Sequence, residues 1–331
     1  MTGQSPTRLS AGAAAPVRLL RCVVGAQTYG LHMAWVRGIR RLDEMRTAAA
    51  APGTTGWVGY EGQEVPVVDL AARLALPHPA STQGKVVLCQ TPSRYVGLLV
   101  ERLDGMCDVP AAQLLPLPRL VRQAADPVIE GVVQQNGSML LTLAPERLHP
   151  CAGSVGAAMA PWPAPEFLPV LRRRPTAPGA QGAVLCFTMA EQPEGAWPLT
   201  FGLSLSQVAH MQQSPTLCPV PGTPPHVLGL VSWQGYPLAM IDLSRCLGGR
   251  PSVLAPDSRL LIARAATTPA CISFPVRPQV RVRALPLPHR PSDRPLALQT
   301  SWLRGRFDLE QETLLIPDLD RLLIPQEEQG C

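Results

Sequence analysis

GWVGYEGQEVPVVDLAARL, residues 56–74, recurs with substitutions as GLVSWQGYPLAMIDLSRCL, residues 229–247. The two segments align without a gap, and the residues that coincide include two glycines, an aspartate and two leucines: Gly56 with Gly229, Gly62 with Gly235, Asp69 with Asp242, Leu70 with Leu243, and Leu74 with Leu247. At nearly the same offset, Tyr29-Gly30-Leu31 matches Phe201-Gly202-Leu203, and Arg147-Leu148 matches Arg321-Leu322. Self-similarity at one long period indicates a tandem duplication.

The repeated segment reads physically as a hairpin, a buried strand and a capped helix. Gly56 and Gly62 permit positive φ angles or close backbone approach at the two ends of the hairpin. The apolar run around Pro66 predicts a buried strand, and Asp69 is placed to cap a short helix that begins at Leu70. The second copy carries the same structural motif at Gly229, Asp242 and Leu243.

The rest of each copy reads as short strands separated by turns. In the first copy, runs of strand length occur at Leu19–Val24, Thr28–Leu31, Lys85–Gln90, Tyr95–Glu101, Val128–Val133 and Ser138–Leu143. The chain contains 38 prolines, spread along its length. Long helices are disfavoured, since an interior proline destabilises a helix by about 3 kcal/mol. The predicted fold class is therefore mainly β with a few short helices.

Composition divides the 331 residues into five parts. Residues 1–17 are predicted to form a disordered N-terminus, and residues 325–331 a short tail. The two copies are assigned to residues 18–150 and 181–324, the second being the more divergent. Residues 151–180 between them are rich in proline and alanine, which predicts a semi-rigid linker.

Charge and cysteine content argue against several functional classes. The net charge is +5, and each copy carries only +2, too little for a groove that binds nucleic-acid phosphates. The nine cysteines show no C-x-x-C and no zinc-ligand spacing with histidine, so we expect no metal site, no disulfide framework and no cofactor. No apolar run approaches the roughly 18 residues needed to span a membrane. A cytoplasmic protein is expected.

The sequence resembles the CheW-like family, the coupling proteins of bacterial chemotaxis-type signalling. Pro66–Leu70 and Met240–Leu243 match the end of that family's motif GhhNLRGhhhPhhDL, in which h is an apolar residue. Arg94–Val100 resembles a later strand of the family, and the segment from Gly131 to Leu143 resembles its final hairpin. The resemblance implies that each copy folds as two small five-stranded SH3-like β-barrels.

The resemblance also implies a function. Members of the family are non-enzymatic adaptors that hold the regulatory domain of a CheA-type histidine kinase against the cytoplasmic tip of a methyl-accepting chemoreceptor. We therefore expect an adaptor in chemotaxis or motility signal transduction. Two such modules on one chain can bridge two partners. Direct insertion into a membrane and binding of nucleic acid are not expected.

Two positions depart from the family pattern in both copies. The arginine before the second glycine is replaced by Glu61 and Gln234, and the acid of a V-x-E turn by Gly38 and His210. Because these charges are changed, Arg37 is predicted to meet Glu61 with the signs of the usual pair exchanged. The candidate partner-binding residues lie in these motifs and in one later strand: Val36, Arg37, Gly38, Glu61, Gly62, Gly97, His210, Gln234 and Gly235.

The second copy is predicted to be the weaker binding module. Its segment Cys271–Arg283 contains Pro275 and Pro278 where the family has a strand, so that strand is predicted to be lost. Trp57 and Trp233 lie in the repeated hairpins at different offsets, and each is either a core residue or an exposed interface anchor.

There are three alternatives to the adaptor. An enzyme is disfavoured because the sequence contains no nucleophile elbow, Walker loop or H-E-x-x-H motif, and helix capping explains the repeated aspartate. A small-barrel nucleic-acid binder is disfavoured by the low charge and by an aromatic content of 5%. A divergent regulator that binds the kinase or the receptor without coupling them is favoured by the missing charged pair.

Overall fold

The computed structural model describes residues 15–47, 53–77, 84–135, 137–148, 183–189, 199–213, 216–248, 252, 254–267, 270–284, 300–309 and 312–323. The predicted linker, the tail and most of the predicted disordered N-terminus lie outside these residues. Within this part of the chain, no helix is both long and apolar enough to cross a membrane.

The first repeat contains eleven described strands and two short helices. The strands are β1 Val17–Val24, β2 Gln27–His32, β3 Val36–Arg41, β4 Gly56–Tyr60, β5 Gln63–Asp69, β6 Lys85–Gln90, β7 Tyr95–Val100, β8 Arg102–Val109, β9 Leu114–Pro116, β10 Ile129–Gln135 and β11 Ser138–Leu143. The helices are α1 Leu70–Arg73 and α2 Arg119–Ala124. Short 3-10 turns precede β3 and β9 and follow β3 and β11.

The second repeat is built from the same kinds of element. Its described strands are β12 Ala183–Phe187, β13 Leu199–Ser204, β14 Val208–Gln213, β15 Val227–Trp233, β16 Tyr236–Ile241, β17 Arg259–Arg264, β18 Cys271–Val276, β19 Val280–Ala284, β20 Leu303–Asp308 and β21 Thr313–Pro317. Its helices are α3 Leu243–Cys246 and α4 Leu319–Leu323.

Each repeat forms two sheets, and the strand orders of the two repeats correspond except that β9 has no counterpart among the described residues of the second repeat. The first repeat has the orders β8-β1-β2-β11-β10-β9 and β3-β6-β7-β5-β4, and the second has β19-β12-β13-β21-β20 and β14-β17-β18-β16-β15. In both, the chain begins one sheet, leaves it to complete the other, and then returns. The prediction of two mainly β halves is confirmed, and the tandem duplication is visible in the strand pairing.

An apolar cluster packs on the sheet that contains β3, and an equivalent cluster packs on the sheet of the second repeat that contains β14. In the first repeat the cluster is Val58, Val65, Val67, Val86 and Leu88. In the second it is Val231, Trp233, Leu238, Met240, Leu260 and Ile262. Trp233 is only 4% exposed, so of the two predicted alternatives it is a core residue and not an exposed interface anchor. Trp57 is half-buried.

The predicted caps of the two repeated helices are confirmed. Asp69 Oδ1 accepts a hydrogen bond from the backbone N–H of Ala71 at 2.9 Å. Asp242 Oδ1 accepts one from the backbone N–H of Ser244 at 3.0 Å. Asp242 is fully buried, and its carboxylate also accepts bonds from the backbone and the hydroxyl of Ser252. The repeated aspartate therefore has a structural explanation in both copies.

The prediction that the second copy lacks a strand near Pro275 is wrong. β18 pairs antiparallel with β17 along its whole length, including Pro275 opposite Leu260. Its parallel partner β16 contributes only the pair Met240 with Ser273 among the described residues, whereas the corresponding first-repeat strands pair at three positions. The proline has no N–H to donate, so the strand survives through its pairing on the β17 side.

The division of the chain into compact units does not follow the sequence repeat. One unit contains the second repeat together with Leu117–Pro127, the segment that carries α2. Within this unit the backbone N–H of Asp126 donates to the carbonyl of Pro221 at 3.2 Å. Gly222 has a φ of +81°, and a Cβ added there would lie 2.7 Å from the Asp126 nitrogen. Both the backbone conformation and the close approach therefore require glycine at this position.

Candidate functional site

One of the two departures from the family motif, Glu61 in the first repeat and Gln234 in the second, lies at the tip of a hairpin in each repeat. Glu61-Gly62 joins β4 to β5, and Gln234-Gly235 joins β15 to β16. Glu61 has a φ of +49° and Gln234 a φ of +50°, and the glycine after each is also positive. Two successive positive φ angles match the twist of a two-residue hairpin loop. Each tip therefore presents one non-glycine side chain at the same point.

Two tyrosines accompany Glu61 and form, with it, what we call the tyrosine face: Tyr60, Glu61 and Tyr95. Tyr95 Oη donates to Glu61 Oε2 at 3.3 Å. The rings of Tyr60 and Tyr95 meet edge to face, with centroids 5.2 Å apart. The Arg40 guanidinium carbon lies 5.6 Å from the centroid of the Tyr60 ring, a cation–π distance. The face joins the end of β4 to the start of β7.

The phenols of the tyrosine face are harder to ionise than free tyrosine. Desolvation raises the pKa of Tyr95, and the neighbouring Glu61 carboxylate raises it further, while the Arg37 guanidinium opposes the change. Desolvation and a hydrogen bond with Glu61 likewise raise the pKa of Tyr60. Both phenols therefore keep their O–H proton near pH 7, and both use it in hydrogen bonds with Glu61.

Arg37 does not contact Glu61 in the way the sequence predicted. Its Nε donates to Gln90 Oε1 at 2.6 Å, and its Nη1 donates to the carbonyl of Ala34 at 2.9 Å. Glu61 bonds Tyr95 instead. The predicted ion pair is absent among the described residues because Arg37 is anchored to its own strand and to β6. Arg37 and Glu61 both remain near Tyr95, where Arg37 favours ionisation of the phenol and Glu61 opposes it.

The other candidate residues of the first repeat have different surroundings. Val36 and Gly38 are half-buried on β3, at a bulge in the pairing with β6. Gly62 completes the hairpin tip. Gly97 is buried in β7, where an added Cβ would lie 2.9 Å from Val67 and 3.0 Å from Val86. The structure thus places Gly97 in the core, against the valine cluster on which Tyr60 and Tyr95 also pack.

The second repeat replaces every component of this face with a different residue. Trp233 occupies the place of Tyr60, Gln234 that of Glu61, and Cys271 that of Tyr95, as their positions in the paired strands show. His210 is exposed on β14, and its ring centroid lies 6.5 Å from that of the buried Trp233. Gly235 completes the turn. No carboxylate stands at this hairpin tip.

Sequence reasoning missed Tyr60 and Tyr95. Tyr60 adjoins Glu61 in the chain, and Tyr95 opens the strand already assigned to Tyr95–Glu101, so both lay within segments that were singled out. Their meeting depends on the parallel pairing of β5 with β7, which spacing along the chain does not show. The sequence contains only four tyrosines, and two of them lie in these segments. That concentration is the signal from which the pair could have been predicted.

A half-buried carboxyl pair lies elsewhere in the first repeat. Burial raises the pKa of Glu130 to about 7, the Glu146 carboxylate contributes in the same direction, and Arg147 opposes it. Glu146 Oε2 is itself buried with no hydrogen-bond partner. Glu130 thus carries a proton over a wider pH range than an ordinary glutamate.

The chemistry of the candidate face suits contact rather than reaction. It offers aromatic rings, one carboxylate and nearby guanidinium groups at the surface, a combination typical of protein interfaces. Among the described residues, no group of three or more histidine, cysteine, aspartate or glutamate side chains is arranged to hold a metal ion.

Comparison with known proteins relates both repeats to one family. The model of the CheW-like domain matches residues 18–150 and again residues 183–327. A chemotaxis protein CheW from Rhizobium meliloti is 27% identical over 129 residues, covering 38% of this chain and 83% of that protein. A chemotaxis protein CheW from Klebsiella aerogenes is 25% identical over 150 residues, covering 45% and 90%.

A solved structure is also similar to part of the chain. The scaffolding protein TtCheW from Thermoanaerobacter tengcongensis is 16% identical, and the match covers 39% of this chain and 89% of that one, with a TM-score of 0.36.

Proposed function

Because the chain belongs to the CheW-like family and contains two copies of its domain, we propose that it is a non-enzymatic adaptor that couples chemoreceptors to a CheA-type histidine kinase. The proposed partners are the kinase regulatory domain and the cytoplasmic tip of a methyl-accepting chemoreceptor, which places its action in the cytoplasm. The observation that carries the proposal is the matching two-sheet topology of both repeats, together with the family match over most of the chain.

The first repeat is the proposed main binding module. Its tyrosine face combines exposed polar groups with aromatic surface, whereas Trp233 at the corresponding place is withdrawn into the core. Gly38 and Arg40 on β3 lie beside the Tyr60 ring, and Arg37 lies near Tyr95. These contacts support the assignment of β3 and the Glu61-Gly62 hairpin tip to one surface. In the second repeat, His210, Gln234 and Gly235 are the corresponding candidates.

A second candidate function is a regulator that binds the kinase or the receptor without coupling them. It is favoured by the absence of the family's acid and arginine in both repeats, where Gly38, Glu61, His210 and Gln234 stand. Such a protein occupies one partner and prevents assembly of the complete complex.

Reconstitution separates the two functions. The full chain is mixed with the kinase, with a receptor-tip fragment and with both, and complex formation and kinase autophosphorylation are measured. A ternary complex with receptor-dependent kinase activity supports the adaptor. Binding to a single partner with no activity, or with loss of activity in competition with a conventional adaptor, supports the regulator. If neither partner binds, both proposals fail.

A further inference from the structure

Arg264, the last residue of β17, is a half-buried cation in the second repeat. Its Nε is buried and has no hydrogen-bond partner among the described residues. No carboxylate in that part of the chain forms an ion pair with its guanidinium. A charge withdrawn from water without an acceptor is unfavourable, so an acceptor supplied by another molecule would stabilise it.

The surroundings of Arg264 are mostly apolar. Cys271 pairs with Arg264 across β17 and β18 and packs on the apolar cluster that contains Trp233. Ala209 packs on the same cluster, and the His210 ring centroid lies 6.5 Å from that of Trp233. Arg264 alternates along β17 with residues of that cluster, so its side chain lies on the same face of the sheet. We call these five residues the Arg264 cluster.

The Arg264 cluster contains positive charge and no carboxylate. Burial raises the pKa of the Cys271 thiol, and Arg264 opposes this change through its charge and through a hydrogen bond. No described carboxylate affects that pKa. At the adjoining hairpin tip, the neutral Gln234 stands where the first repeat has Glu61. The negative charge of the first-repeat tip therefore has no equivalent here.

The first repeat provides an internal acceptor for the cation at this place. Arg37 and Gln90 occupy the positions of Ala209 and Arg264, as the strand pairing shows. Arg37 Nε donates to Gln90 Oε1 at 2.6 Å. In the second repeat the arginine stands on the other strand of the pair, and the alanine side chain opposite it has no acceptor atom. Both repeats thus carry a cation here, but only the first supplies a side-chain acceptor for it.

We propose that Arg264 binds the carboxylate of an aspartate or glutamate side chain on a partner protein. The inference rests on the proposed adaptor function and deepens it, because it assigns a partner chemistry to the second repeat. One cation among apolar groups suits a single carboxylate with apolar neighbours, whereas a nucleic acid needs several cations for its phosphates. The first repeat, in which Arg37 is bonded to Gln90 and Glu61 is negative, is not expected to bind the same group.

The test uses isotope-labelled full chain and two peptides that differ by one functional group. The probes are Ser-Val-Glu-Val-Ser, capped at both ends, and its Gln analogue. NMR titration follows the backbone amides of β17 and β18 and the Nε–H signal of Arg264. We expect the Glu peptide to shift these signals with about fivefold higher affinity than the Gln peptide, a ratio that falls as salt is added.

Two variants of β17 show whether Arg264 carries the preference. In Arg264→Gln the preference for the Glu peptide should disappear, while the melting temperature should not fall, because an unpaired charge is removed. The first repeat carries glutamine at the equivalent position, Gln90, so the sheet accommodates this side chain. Arg259→Gln changes an exposed arginine at the other end of the strand and should retain the preference.

A third variant supplies the missing acceptor from within the chain. The bond between Arg37 and Gln90 shows that side chains at these two positions can meet. Ala209→Glu should therefore pair with Arg264, raise the melting temperature and remove the preference for the Glu peptide.

Equal affinity for the two peptides, or Arg264 signals that do not respond to the Glu peptide, would overturn the inference. It would also be overturned if Arg264→Gln or Ala209→Glu kept the preference, or if Arg264→Gln melted well below the wild type, because Arg264 would then be a structural residue.

Binding of the kinase domain and the receptor tip is measured separately with the same Arg264→Gln variant. If the wild type binds those partners and the variant binds them equally well, the inference fails while the adaptor function stands. If the wild type binds neither partner but the peptide preference is observed, the adaptor function fails and Arg264 keeps its assigned ligand.

Discussion

Replacing Glu130 by glutamine should stabilise the protein in alkaline solution and leave it nearly unchanged in acid. The folded chain raises the pKa of this carboxyl to about 7 from an ordinary value of 4.5, mainly through burial and then through Glu146. Between those values the folded state holds a proton that the unfolded state has lost. Stability therefore falls as the pH rises from about 4.5 to about 7, and the loss is complete above that range.

The size of the effect follows from the difference between the two pKa values. A difference of one in pKa corresponds to about 1.4 kcal/mol, so the ionised side chain lowers the free energy of unfolding by about 3 kcal/mol at pH 8. Glutamine has nearly the same shape and no charge to desolvate. The gain in stability from Glu130→Gln should thus be about 3 kcal/mol larger at pH 8 than at pH 4.

Urea unfolding of the full chain at several pH values measures this difference. Asp257→Asn, which removes a carboxylate from an exposed site, is the control for the loss of one negative charge. Carboxyl-carbon NMR of the wild type gives the Glu130 titration directly. A Glu130 midpoint near 4.5, or an equal gain for Glu130→Gln at both pH values, would refute the reasoning.

Glu61→Arg should leave the melting temperature almost unchanged, because the side chain is exposed. In calorimetric titration the variant should have an altered affinity for the kinase domain or the receptor tip. Unaltered binding to both partners would show that this position is not part of the recognition surface. Gly222→Ala should destabilise the chain by about 2 kcal/mol in thermal melts through strain and the clash at Asp126, and Gly248→Ala, which has a similar positive φ but open space around it, should lose only about 1 kcal/mol. Asp242→Ala should lose about 3 kcal/mol by urea unfolding, since buried donors lose their acceptor, and a loss below about 1 kcal/mol would contradict the assigned role.

The sequence was sufficient for the parts of the fold that local chemistry controls. Asp69 and Asp242 cap their helices as predicted, because an aspartate before a short apolar helix acts on N–H groups two and three residues away. The hairpins around Gly25 and around Glu61-Gly62 also form as read, since turn residues and apolar runs determine them.

What sequence reasoning missed depends on contacts between distant segments. Pro275 predicts an interrupted strand, but pairing with β17 along its whole length maintains β18. The sequence predicts that Arg37 contacts Glu61. In the structure Arg37 bonds Gln90 on β6, and Glu61 bonds Tyr95 on β7. These partners are brought close only by strand order, which a single sequence does not encode in local spacing.

The strand order also determines when each sheet can be finished during synthesis. In the first repeat, β3 to β7 form a complete sheet from residues 36–100, whereas the other sheet needs β2 to pair with β11, as in Tyr29 with Leu141. Translation produces the chain at roughly 5–20 residues per second, so those last strands follow the completed sheet by several seconds. The sheet that carries the tyrosine face can therefore form on the ribosome while β1 and β2 still lack their final neighbours. An internal sheet of this kind makes the proposed recognition surface the earliest part of the repeat to mature.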